Sequence, residues 1–87
     1  MNALPDVTVG EFGLKAGHRC RVSLSTFKGR PRCDLRVFYE DGDAWRPSKQ
    51  GVNLSTDNLP ELRKLIVAAE QEAIRAGVLD PADHDET

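Results

Sequence analysis

Two stretches near the start of the chain alternate apolar and polar residues with a period of two. Over residues 19–28, Cys20, Val22 and Leu24 fall on one face, and Arg19, Arg21, Ser23 and Ser25 on the other. Over residues 32–39, Cys33, Leu35 and Val37 share a face, while Arg32, Asp34 and Arg36 point the other way. Each pattern predicts an antiparallel strand with one solvated side. The intervening Lys28-Gly29-Arg30-Pro31 predicts a short turn, so the two strands form a hairpin. Strand parity sends Phe27 and Phe38 outward with the arginines, and Tyr39 inward unless a bulge intervenes. Glu40–Asp43 predicts a second turn, and Trp45–Leu54 a further strand with Pro47 and Gly51 as irregularities or edge features. Thr8–Leu14 predicts a weaker first strand, diluted by Gly10 and Gly13.

The period changes after residue 58. Leu59, Leu62, Leu65, Ile66, Ala69, Ala73 and Ala76 recur at helical spacing and predict a helix over 59–76. Asn58 followed by Glu61 reads as a capping box, with Asp57 as a competing cap, and Pro60 suits the first turn. Gly77 suits the left-handed position past the end. Val67 and Ile74 lie off the main stripe. They are either the margin of a wide core face or a second stripe that contacts another subunit.

The chain has 87 residues, 39 % hydrophobic and 30 % charged. This is a globular balance in one small domain. The expected organisation is a flexible N-terminus over 1–7, one sheet-plus-helix domain over 8–79, and an acidic disordered tail over 80–87. A domain this small gains much from pairing. No apolar run approaches the ~18 residues of a membrane-spanning helix. The first residues carry neither a basic nor an apolar signal segment, so a cytoplasmic protein is expected, nucleoid-associated in a prokaryote or nuclear in a eukaryote.

The net charge of −2 argues at first against a polyanion partner. Its distribution reverses that inference. Up to Leu54 there are nine basic and six acidic residues; beyond it, three basic and eight acidic. Between Arg19 and Arg36, six basic residues face a single acid. Such asymmetry points to a polyanion for the basic half. Aromatic residues interleave with these cations: Phe27 before Lys28 and Arg30, Phe38 and Tyr39 after Arg36, Trp45 before Arg46 and Lys49. Single-stranded nucleic acid needs this pairing, because cations track phosphates and flat rings stack on unpaired bases. No helix is basic enough to enter a major groove.

Other chemistry is weakly represented. Cys20 and Cys33 have no metal-type spacing and read as buried thiols. His18 reads as a loop residue, and His84 lies in the acidic tail. Asp41-Gly42-Asp43 lacks the later ligands of a calcium loop and reads as a turn. No nucleophile–base pair, phosphate-binding loop or metal cluster supports an enzyme, and no cofactor is implied. Asp34 in Asp-x-Arg reads as the partner of a neighbouring arginine on the sheet surface.

Phe27-Lys-Gly-Arg, then Asp34-x-Arg36 before Phe38-Tyr39, then Arg46-Pro-Ser-Lys-Gln-Gly51 before a helix, together resemble the transcriptional positive cofactor 4 family over roughly residues 10–75. The resemblance implies a curved four-stranded antiparallel sheet followed by one long helix, an α+β fold that forms a homodimer. It implies binding of single-stranded or melted DNA and a role as a transcription cofactor. Position by position, it implies base stacking for Phe27 and Tyr39, and phosphate contacts for Lys28, Arg30, Arg36, Arg46 and Lys49. Arg19 and Arg21 fit the same surface by parity, and Trp45 joins it by its place among the cations. Gln50 stands where the family often has a second basic residue, and Arg32 where it often has an apolar one. Parity selects Phe38 for stacking and the resemblance selects Tyr39; a bulge near Phe38 would reconcile them. Two alternatives stand beside this reading: a protein-interaction module recruiting transcription or repair proteins, and a single-stranded-RNA-binding protein.

Overall fold

The computed structural model describes residues 6–81. It contains four strands, β1 (Val7–Gly13), β2 (His18–Phe27), β3 (Arg30–Asp41) and β4 (Ala44–Ser55), then a 3-10 turn at Thr56–Asn58 and one helix, α1 (Leu59–Arg75). The strands form one antiparallel sheet in sequential order. The α+β expectation of four strands followed by a helix holds. The expected N-terminal and tail segments fall largely outside the described residues, although β1 already takes in Val7. The chain divides into two compact units near Asp57, one holding the sheet and the other the helix.

The hairpin between β2 and β3 pairs without interruption from Phe27↔Arg30 to His18↔Tyr39. Its turn is shorter than expected, with only Lys28 and Gly29 at the tip. Both have positive φ, 53° and 78°. This is the geometry of a two-residue turn whose twist matches that of the flanking strands. Glycine adopts it freely; lysine does so at some cost in strain.

Alternation sorts the sheet into two faces. Cys20, Val22 and Leu24 lie opposite Val37, Leu35 and Cys33, and Val52 and Leu54 continue this apolar face on β4. Cys33 is the one buried residue among those described, 2 % exposed, and burial pushes its thiol pKa up. Cys20 is half-buried, and both thiols are free. The other face carries Arg19, Arg21, Ser23 and Ser25 opposite Phe38, Arg36, Asp34 and Arg32.

Two irregularities interrupt the ladders. One lies in β1 between Thr8 and Gly10. The other sets Ser48, Lys49 and Gln50 of β4 against the single residue Val37 of β3. It falls between Pro47 and Gly51, the positions that the sequence marks as irregular. The Ser48 hydroxyl accepts a hydrogen bond from the Gln50 backbone N–H at 3.0 Å and steadies this bulge.

The helix begins differently from expectation. Asn58 is its N-cap, but its backbone is already helical (φ −83°, ψ −9°) and its side chain caps nothing. The preceding 3-10 turn delivers the chain into α1 without the extended cap residue a capping box requires. The Ser55 hydroxyl instead accepts from the Asp57 N–H at 3.2 Å. The C-terminus follows the expected motif. Gly77 has φ 79°, and the Gly77 and Val78 N–H groups donate to the Ile74 and Ala73 carbonyls, both at 3.0 Å.

Candidate nucleic-acid interface

The charged face is ordered by carboxylates and rings. On β1, the Glu11 carboxylate accepts from Arg19 Nη1 and from Arg21 Nε, both at 2.6 Å. The register that places Glu11 opposite Arg21 makes this bridge. On β3, Asp34 accepts both prongs of the Arg36 fork, at 2.8 and 3.0 Å. Asn53 of β4 donates to the same carboxylate at 3.2 Å and accepts from Arg32 Nε at 2.7 Å. Arg19 holds the Glu11 carboxyl below the usual carboxylate range, with Arg21 adding to the effect. Arg36 does the same for Asp34. The expected surface pairing of Asp34 with an arginine is present.

The same arginines lie over aromatic rings. The Arg19 guanidinium sits 4.0 Å from the centre of the Trp45 ring, and that of Arg21 sits 3.9 Å from the Phe38 ring. Each contact is favourable through the ring quadrupole. An open cavity of about 380 Å³ lies beside this network, lined in part by Arg21, Ser23, Ser25, Asp34, Phe38 and Asn53.

Arg36 reaches across β4 as well as along β3. Its Nη1 donates to the Ser48 carbonyl at 3.4 Å. Gly51 lies opposite Arg36 in the ladder. Any side chain there would start 2.9 Å from Arg36 Cζ and 2.5 Å from the Leu35 carbonyl oxygen. Gly51 therefore leaves the space in which the guanidinium lies, next to the bulge that carries Lys49.

At the hairpin tip the groups are freer. The Phe27 ring is 64 % exposed, and Lys28 Nζ lies 5.4 Å from its centre. Among the described residues, no carboxylate pairs with Lys28, Arg30 or Lys49.

Strand parity thus gathers Arg19, Arg21, Phe27, Arg30, Arg36 and Trp45 on one face, with Lys28 at the tip and Lys49 on the β4 bulge. Two expected site residues lie elsewhere. Tyr39 pairs with Arg46, and this pair belongs to the opposite face, where Arg46 Nε donates to Asp41 at 2.5 Å. The bulge proposed near Phe38 does not lie in β3, which pairs evenly with β2. The extra residues belong to β4, so Phe38 keeps its place beside the arginines. His18 is the first residue of β2 rather than a loop residue. Glu11, Asn53 and Arg32 are members of the network that sequence reasoning did not assign to the site, whereas Phe38 is the ring that parity selects.

The chain from residue 14 to 65 matches the family model described as Transcriptional Coactivator p15 (PC4). The protein belongs to the PC4 family. A curated relative is the RNA polymerase II transcriptional coactivator of Drosophila melanogaster, 37 % identical over 51 residues. That match covers 59 % of this chain and 44 % of the fly protein, so the chain spans less than half of its relative's length. Among solved structures, a PC4 homologue from Burkholderia pseudomallei superposes with a TM-score of 0.72 at 25 % identity, covering 76 % of this chain and 90 % of that one. The bacteriophage T5 homologue of PC4, described as implicated in recombination-dependent DNA replication, superposes with a TM-score of 0.58 at 26 % identity. It covers 87 % of this chain and 85 % of the phage chain. These likenesses agree with the four-stranded sheet followed by one helix. No described helix is long and apolar enough to cross a membrane.

Proposed function

We propose that this PC4-family protein binds single-stranded or melted DNA through the charged sheet face and the β2–β3 tip, and acts in transcription as a cofactor. The observation that carries the reading is the tip itself. An exposed aromatic ring stands beside Lys28 and opposite Arg30, cations that no carboxylate among the described residues pairs with, which is the arrangement for stacking a base while holding its flanking phosphates. Membership of a family with a transcriptional coactivator among its curated relatives supports the transcriptional role.

The salt dependence of binding tests this. Each phosphate neutralised on a single strand contributes about −0.7 to the slope of log K against log salt. Lys28, Arg30 and Lys49 alone give a slope near −2; engagement of Arg36 as well brings it to about −2.8. Anisotropy of a labelled oligothymidylate across a salt series is expected to fall in this range, with duplex of equal length binding more weakly. A flat response rejects the electrostatic mechanism, and equal affinity for duplex rejects stacking.

The proposal includes a homodimer. Val7, Phe12 and Val52 of the sheet unit are 45 %, 58 % and 46 % exposed. In the helix unit, Leu65, Ile66 and Val67 are 60 %, 58 % and 44 % exposed. A groove of about 440 Å³ along α1 is lined by Leu59, Leu62, Ile66 and Val67. With one buried residue among those described, a single chain falls short of the apolar burial that offsets folding entropy. Light scattering at micromolar concentration is expected to give twice the chain mass; a monomeric mass rejects the dimer.

A further inference from the structure

We infer that Glu11 is a latch on the charged face: its carboxylate holds Arg19 and Arg21 away from the phosphates of a single strand and keeps them folded over Trp45 and Phe38. The inference rests on the proposed single-strand binding and assigns its regulation to a residue of β1. Three observations lead to it. First, the Glu11 carboxylate occupies both guanidinium groups, at 2.6 Å each. A carboxylate and a phosphate compete for the same planar donors, so the site that would take a phosphate is already filled. Second, the two arginines that Glu11 holds are the two that cover rings, 4.0 and 3.9 Å above Trp45 and Phe38. Closing the latch therefore withdraws two cations and two stacking surfaces together. Third, Glu11 stands on an edge strand, paired on one side only and irregular between Thr8 and Gly10. Its side chain can leave without disturbing β2, β3 or β4.

A glutamate carboxyl is charged at neutral pH, and the neighbouring guanidinium groups extend that charged range to lower pH, so the latch is closed under ordinary conditions. Its grip is weak enough to be broken. Ion pairs with this degree of exposure contribute little each, and a strand with several phosphates offers both arginines a stronger partner once it is bound at the tip. The inference divides the surface into a constitutive part, Phe27, Lys28, Arg30 and Lys49, and a part gated by Glu11.

The test is Glu11→Gln, which keeps the shape and removes the charge, measured on the full chain with a labelled oligothymidylate. Binding is expected to tighten several-fold. The log–log salt slope should steepen by up to about 1.4, as two further arginines reach phosphates. Trp45, the sole tryptophan of the chain, should show greater quenching on DNA addition than in the wild type. Glu11→Asp keeps the charge on a shorter stem that cannot reach both arginines, and should fall between. It also serves as the second variant should Gln weaken the β1 pairing, which a melting curve detects. Wild-type affinity and slope in both variants overturn the latch while leaving single-strand binding intact. Absence of salt-dependent binding in the wild type as well overturns the parent reading, and the latch with it.

Discussion

Replacing Phe27 by alanine is expected to weaken single-strand binding by about 1–3 kcal/mol, roughly a five- to 150-fold rise in Kd, at unchanged net charge. The ring is 64 % exposed and ends β2 at the hairpin tip, so its removal uncovers no core. Melting temperature should therefore stay close to the wild-type value, because exposed substitutions away from packing features have small effects. The salt slope should also stay, since no cation is removed. This combination of lost affinity, retained stability and unchanged slope separates stacking from charge. Anisotropy against an oligothymidylate at fixed salt measures it. An unaltered Kd would show that the tip ring does not stack, and the basis of the proposed interface would fall with it.

Trp45 does not make the same prediction, although the sequence places both rings among cations. Its ring lies beneath Arg19, and Arg19 is held by Glu11. A ring already occupied by a guanidinium stacks a base only after that group leaves. The structure therefore ranks the aromatics, with Phe27 open and Trp45 and Phe38 covered.

The alternation of 19–28 and 32–39 carries enough information to place the hairpin and both of its faces, because period two leaves no other assignment. Pro47 and Gly51 likewise bracket the β4 bulge, since one lacks an N–H and the other lacks a side chain. What the chain order does not show is who lies across from whom. Glu11 meets Arg19 and Arg21 only through the β1–β2 register, and that register is shifted between Thr8 and Gly10. A parity argument carried through β1 from its N-terminal end misplaces the residue. The cations therefore look available in the sequence although four of the expected site arginines, Arg19, Arg21, Arg36 and Arg46, already have carboxylate partners. Tyr39 shows the opposite limit. The resemblance to the family selects it, while an unbroken β3 keeps it on the face opposite Arg36. The capping box fails for a related reason: Asn58 and Glu61 have the right spacing, but a 3-10 turn before the helix removes the extended cap residue.

Gly51→Ala is expected to be the most damaging small substitution in the sheet. The added Cβ would lie 2.5 Å from the Leu35 carbonyl oxygen and 3.0 Å from Arg36 Cα, both backbone atoms that cannot rotate away. It would also lie 2.9 Å from Arg36 Cζ, and the Asp34 fork fixes that guanidinium. The β3 and β4 backbones must then separate locally, which costs about 1–3 kcal/mol, as overpacking typically does. For a domain of this size each kcal/mol lowers the melting temperature by roughly 4–8 °C. Gly13→Ala is the control, because nothing lies within 4 Å of a Cβ there. It removes a strand glycine as well, so a general glycine effect would appear in both variants and close approach only in the first. The site should respond along with the fold. Arg36 donates to the Ser48 carbonyl, and Lys49 is the next residue of the bulge. Moving Arg36 loosens the segment that presents Lys49, so Gly51→Ala should also reduce single-strand affinity below the temperature at which the domain melts. A variant that melts with the wild type would show that the strands absorb the methyl group, and the account of Gly51 as the seat of the Arg36 guanidinium would be wrong.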